Sequence, residues 1–255
     1  DPITEALRGF SEKRNGKRNA DWTPIIRTFD VAGISLEMCL VPPGSFMMGS
    51  EDNDREKPVH QQTIAQPYWI GLHPVTNAQW AQAVKLSKGK VTVPDWAEWY
   101  NDSSKAGHPV VGVTWYQCRD FCQWLSEAAG DTYVLPTEVQ WEYAARGPDG
   151  LVYPFGSAFK PDLVVYDKNS NRSTAAIGGR PGGASWVGAQ DMSGNVWEWQ
   201  LNAFADYPYA PDDGRGNISS TAPRVLRGGS WIDLLVNARA AYRLSYLPVV
   251  RDNDL

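Results

Sequence analysis

Glycine and proline interrupt this chain at short intervals, and tryptophan recurs between the interruptions. Twenty-three Gly, eighteen Pro and twelve Trp are spread over 255 residues. Breakers at that frequency leave no room for the long helices of a bundle. A chain with little regular structure needs another way to hold its loops, and Trp supplies one. Its bulk can be buried while its indole N–H bonds a loop carbonyl. The expectation is therefore a loop-rich core pinned by large aromatic side chains.

One device announces three helices. Thr76-Asn77-Ala78-Gln79, Thr114-Trp115-Tyr116-Gln117 and Thr137-Glu138-Val139-Gln140 each match a capping box, with Thr at the cap and Gln three residues on. Behind the second, Cys118, Phe121, Cys122 and Leu125 recur at helical spacing and end before Gly130. Behind the third, Trp141, Ala144 and Ala145 form a face that stops at Gly147-Pro148. Short strands are expected on both sides of Pro42-Pro43-Gly44, at Tyr68–Leu72, at Val225–Arg227 and at Ala238–Arg243. No linker or tandem repeat divides the chain, so 1–255 reads as one domain. Residues 1–20, with Lys13, Arg14, Lys17 and Arg18 close together, read as a flexible lead-in, and 227–255 as a separate C-terminal region of that domain.

A net charge of −5 gives no basic footprint for nucleic acid. No apolar run reaches the length of a membrane span, and the first twenty residues lack the apolar stretch of a signal peptide. Three cysteines, Cys39, Cys118 and Cys122, make a poor disulfide framework for this length and point to a reducing compartment, the cytoplasm.

VPPGSFMMGS, PVTNAQW, HPVVGVTWYQCRDFCQWL, YVLPTEVQWEYAARG, DMSGNVWEW and RVLRGGSW follow one another in that order. Together they resemble the formylglycine-generating-enzyme (sulfatase-modifying factor) superfamily, from Ile34 to Leu255. The resemblance implies an α+β chain with an elaborated C-type-lectin fold. Such a fold has low regular secondary structure, small twisted antiparallel sheets and two or three short helices. It also implies that a closing strand normally follows an ending like Arg251–Leu255.

In catalytic members the resemblance places copper on a pair of cysteines just after the RGGSW-like motif, because soft thiolates select Cu(I). Here that stretch is Ile232–Arg243, and no cysteine follows Cys122. No catalytic residue is assigned, and no cofactor is required for catalysis. Cys118 and Cys122 share a helical face with Phe121 and Leu125 and read as core, as does Cys39 between Met38 and Leu40. A related branch holds iron with three histidines, but His60, His73 and His108 do not pair at metal-ligand spacing. Around GNVWEW the resemblance implies a structural calcium held by Asn195, the Val196 carbonyl and Glu198. The alternative is a tight turn in which Glu198 bonds backbone amides.

The tail from Arg227 to Leu255 reads as two interleaved sequences. A frame consists of Arg227-Gly228-Gly229-Ser230-Trp231, Asn237-Ala238-Arg239-Ala240-Ala241-Tyr242-Arg243, Pro248, Arg251 and Asn253. Between its parts stand thirteen residues without periodicity: Ile232, Asp233, Leu234, Leu235, Val236, Leu244, Ser245, Tyr246, Leu247, Val249, Val250, Asp252 and Asp254. In this superfamily, forms exist with Asn at such insert positions. Mutating the adenines of the Asn codon AAC yields only codons ending in C, which never encode Lys, Glu, Gln, Met or Trp. None of those types occurs among the thirteen. The pattern resembles the variable protein of a diversity-generating retroelement, a scaffold with a hypervariable C-terminal patch.

The resemblance implies a non-catalytic, monomeric binder of a protein or other macromolecular ligand. Trp231, Arg239, Tyr242 and Arg243 are expected as scaffold and Tyr246 as the best anchor. Asp233, Asp252 and Asp254 are expected as a rim, and Val236 and Leu247 as the inserts nearest the core. Two alternatives stay open: a metal-dependent oxidase of the sulfatase-modifying type, and a constant calcium-stabilised lectin-like module.

Overall fold

The computed structural model describes residues 1–12, 17–95 and 97–255, with the backbone alone at Ala97. Lys13 and Arg14 of the expected lead-in lie outside the described residues. The helices are α1 (Pro2–Ser11), α2 (Asn77–Leu86), α3 (Ala97–Asn101), α4 (Trp115–Ala129) and α5 (Glu138–Arg146). The strands are β1 (Ile26–Val31), β2 (Ile34–Val41), β3 (Gly44–Met48), β4 (His60–Ile64), β5 (Tyr68–Gly71), β6 (Glu198–Ala203), β7 (Arg224–Arg227) and β8 (Leu244–Tyr246). They form three small antiparallel sheets, ordered β1-β2-β5, β3-β4 and β6-β7-β8. This is the α+β, C-type-lectin-like architecture with little regular structure.

Each of the three capping boxes starts a helix. In α2, α4 and α5 the Thr hydroxyl accepts the N3 backbone N–H, and the Gln carbonyl accepts the Thr N–H at 2.9 Å. Two backbone donors that the helix itself leaves unpaired are thereby satisfied at each start. The helix α4 ends on Gly130 in the left-handed conformation (φ 67°), a position that favours a residue without Cβ.

The indoles hold loops as the composition implies. Trp80 Nε1 donates to the Thr92 carbonyl and Trp115 Nε1 to that of Gln200, both at 2.9 Å. Trp199 Nε1 reaches Val113 and Trp231 Nε1 reaches Asn253, both at 3.0 Å. All four rings are buried. Each such bond contributes about 1 kcal/mol net, so its larger effect is to fix which loop lies where.

Two expectations are corrected. Part of the expected flexible lead-in is a packed helix, since Asp1 caps α1 and the helix buries Phe10 edge-on against Trp22 at 5.5 Å. The stretch Ala238–Arg243 is not a strand but a run of turns, and the strand is the next three residues, β8. The carbonyl of Ala240 accepts from Arg227 instead of from a neighbouring strand. Among the described residues, no helix is long and apolar enough to cross a membrane.

Candidate functional site

The C-terminal frame is held from inside by arginines. Arg227 ends β7, is fully buried, and sends Nη2 to Glu138 Oε1 at 2.8 Å and to Glu142 Oε2 at 2.7 Å. Arg243 donates Nε to Glu138 Oε1 at 2.5 Å and Nη2 to Glu138 Oε2 at 2.9 Å. It also stacks 3.8 Å above the ring of Tyr207. Arg239 is paired with Glu56 through two bonds of 2.8 and 2.9 Å. Three frame arginines thus plug into carboxylates on α5 and on the loop before β4. Burial alone raises the carboxyl pKa of Glu142, but Arg227, Arg146 and the Gly49 N–H outweigh it and hold the group below its usual range.

Gly229 closes the frame. It sits at φ +73°, and a Cβ there would lie 2.9 Å from the Asn237 carbonyl, so the two frame segments touch backbone to backbone. The frame's Trp231 is buried and its backbone N–H bonds the Asn195 carbonyl at 3.0 Å, while Tyr242 is half-buried against Trp197.

Most inserts point outward from this clamp. Ile232, Leu234, Leu235, Val236, Tyr246, Leu247 and Val249 are between 38% and 59% exposed, which is high for side chains of this kind. Asp252 is exposed as well, and Ser245 is half-exposed on the edge strand β8, opposite Val225. The expected concession of Val236 and Leu247 to the core is reversed. The apolar inserts that pack inward are Leu244 and Val250, both against the core cluster that includes Trp197, Trp199 and Leu226.

Two of the expected rim acids are also corrected. Asp233 and Asp254 are half-buried beneath the face, and both accept from the single hydroxyl of Ser230, at 2.5 and 3.0 Å. Burial and the charges of Asp252 and Asp233 push the Asp254 carboxyl up to about 6.

The calcium set fits in part. Glu198 is half-buried and takes Trp141 Nε1 on Oε2 at 3.0 Å, and among the described residues it makes no salt bridge. Burial, with the charge of Asp191, pushes its carboxyl up to about 7. A hard cation would relieve that. Asn195 is used otherwise: its Oδ1 accepts the Ala175 N–H at 2.9 Å and its Nδ2 donates to the Ala175 carbonyl. Val196 is buried beside it.

The cysteines are not poised for chemistry. Burial pushes the thiols of Cys39 and Cys122 up to about 12 and raises that of Cys118 too, so all stay protonated at neutral pH. The histidines stand apart: His60 bridges Pro58 and Tyr209, His108 faces Thr174, and His73 lies 3.7 Å from Asp191.

The carboxylates Glu56, Glu138 and Glu142 were not singled out in the sequence. A signal did exist, since frame arginines inside an apolar motif must meet partners if buried. Nothing in the sequence says which of the many acids those partners are.

The profile of the "Sulfatase-modifying factor enzyme 1-like domain" family matches residues 32–255. The chain is 29% identical over 236 residues to "Serine/threonine-protein kinase pkn1" of Chlamydia pneumoniae, covering 82% of this chain and 35% of that protein. It therefore spans about a third of the length of that curated relative. It is 29% identical over 266 residues to "Formylglycine-generating enzyme" of Mycobacterium tuberculosis, covering 76% of this chain and 86% of that one. The fold is shared with "Treponema denticola variable protein 1", with a TM-score of 0.72, 24% identity, and 91% of this chain and 97% of that one covered.

Proposed function

This chain belongs to the sulfatase-modifying factor enzyme 1-like domain family, and within that family we propose that it is a non-catalytic binding protein. On this reading it is the variable protein of a diversity-generating retroelement, diversified at residues 232–236, 244–247, 249, 250, 252 and 254, and as a monomer it presents those of them that face solvent to a protein or other macromolecular ligand. One observation carries the reading. Large apolar inserts stand exposed on loops whose intervening frame residues are buried in salt bridges. A core that needed those apolar side chains would have taken them in, and an exposed cluster of this kind marks a partner site. The likeness of fold to a protein named as variable supports it.

The second reading, a metal-dependent oxidase, is favoured by the formylglycine-generating enzyme among the relatives. It is opposed by the absence of any cysteine after Cys122 in these 255 residues. One structural calcium at Glu198 and the Val196 carbonyl also belongs to the proposal, supported by Glu198 having Trp141 Nε1 as a hydrogen-bond donor and no cationic partner among the described residues.

The deciding experiment is to sequence the DNA around the gene, and the gene itself across sibling cultures. The expected result is a near-copy of the C-terminal coding stretch with adenines at the insert codons. An invariant tail with no such copy would overturn the variable-protein reading, and metal analysis of the purified protein would then test the oxidase.

A further inference from the structure

The displayed face has a sign as well as an apolar surface. Leu234, Leu235, Tyr246 and Leu247 stand exposed on it together with Asp252, while Asp233 and Asp254 lie half-buried beneath them. The thirteen inserts hold these three acids and no Lys, Arg or His. None of the three has a cationic partner among the described residues, and the cations around them are already paired. Arg251 pairs with Asp95, Arg239 with Glu56 and Asp52, and Arg243 with Glu138. Lys168 pairs with Asp167, whose N–H bonds the Asp233 carbonyl at 3.1 Å. Lys105 is held over the ring of Trp99, which in turn meets Trp231.

The half-buried acids are short of counter-charge. Ser230 Oγ lies 2.5 Å from Asp233 Oδ2 and 3.0 Å from Asp254 Oδ2, and a hydroxyl has one hydrogen, so dividing it neutralises neither carboxylate. Asp233 has in addition the Ser230 N–H at 3.0 Å and the Trp197 side chain, both of them neutral donors. The other ionisable groups of the cluster are Asp252, Tyr246 and Tyr242, and none of them carries positive charge. In an interface the apolar area supplies most of the strength, and charge selects which partner may use it. An apolar face carrying uncompensated acids therefore admits a cationic partner and repels an anionic one.

We propose, on the basis of the display reading, that the partner of this face is a protein segment both apolar and basic. Its aliphatic or aromatic side chains lie against Leu234, Leu235, Tyr246 and Leu247, and its Lys or Arg reaches Asp252 and the Asp233–Asp254 pair. A second copy of this chain does not fit, since its net charge is −5 and a two-fold contact would set the same acids against each other. Nucleic acid and anionic lipid carry the wrong sign.

The test is selection of random phage-displayed peptides on the full chain at pH 7. The expected result is enrichment of peptides that combine apolar residues with net positive charge. Resynthesised without histidine, they should bind more tightly at pH 7 than at pH 5, by up to about tenfold. Over that range Asp254, whose carboxyl is pushed up to about 6, gains its charge while Lys and Arg keep theirs. Asp254→Asn should remove the pH preference. Asp252→Asn, on an exposed side chain, should weaken binding at both pH values and serves should Asp254→Asn fail to fold. Enrichment of neutral or acidic peptides, no enrichment, or affinity that does not rise with pH would overturn the proposal. So would a dimer in sedimentation that Leu234→Asp abolishes, which would put a second copy on the face. Neutral peptides that lose binding in Leu234→Ala and Tyr246→Ala would sink this inference and leave the display reading standing. Binding indifferent to both substitutions would remove the display reading itself, and this inference with it.

Discussion

Glu138→Gln is expected to cost about 3–5 kcal/mol, out of the roughly 5–15 kcal/mol a domain of this kind holds. The reason is the traffic on one carboxylate. Oε1 of Glu138 accepts from Arg227 Nε at 3.1 Å and Nη2 at 2.8 Å and from Arg243 Nε at 2.5 Å, and Oε2 accepts from Arg243 Nη2 at 2.9 Å. All three residues are buried. Glutamine keeps one oxygen and turns an NH2 group toward a guanidinium, donor against donor. Arg227 would keep Glu142 and the Tyr207 hydroxyl, so the loss falls on Arg243, left with the carbonyls of Arg55 and Ala205. The exposed pair Arg251–Asp95 sets the scale for a bridge in water, at about 0–1 kcal/mol.

Urea unfolding at neutral pH measures the difference, with the slope checked for unchanged two-state behaviour. Adding Arg243→Met to Glu138→Gln should recover part of the loss, since it removes the stranded charge. A cost below about 1 kcal/mol for Glu138→Gln would refute the clamp.

Leu234→Ala and Tyr246→Ala should each change stability by no more than about 0.5 kcal/mol while altering what the protein captures. Unfolding of either would place these side chains in the core after all. The folded pKa of Asp254 lies near 6, above the ordinary carboxyl value, so the folded state keeps this proton longer than the unfolded one. That contribution to stability is present at low pH and is lost as pH rises from about 4 through 6. Asp254→Asn should therefore gain stability relative to the parent at pH 7 but not at pH 4, by at most about 2–3 kcal/mol before solvent screening. Equal differences at both pH values would contradict it. Calcium at a hundred times its dissociation constant should add about 2.7 kcal/mol of stability, and Glu198→Gln should abolish the effect. Melting curves with calcium and with chelator that superimpose would remove the ion from the fold.

Local physics was written in the sequence where a few neighbouring residues complete it. The Thr-x-x-Gln boxes announce α2, α4 and α5 because both partners of each cap lie within four residues. The Trp, Gly and Pro pattern implies loops pinned by indoles, and the order of the motifs identifies the family. The burial of the inserts was not legible, because they sit in irregular loops where no period tells inside from outside. Val236 and Leu247 differ little in kind from Leu244 and Val250, yet the first two face solvent and the second two pack on the cluster built around Trp115, Trp197 and Trp199.

Tertiary contacts of long range made that choice. Arg227 finds Glu138 across 89 residues, Arg243 finds the Arg55 carbonyl across 188 and Arg239 finds Glu56 across 183. Each of these three buried guanidiniums takes a carboxylate, and a one-dimensional pattern cannot say which of 29 acidic residues will be within reach. Once those pairs form, the backbone of the frame is fixed, and the inserts between its anchors point wherever the remaining space allows.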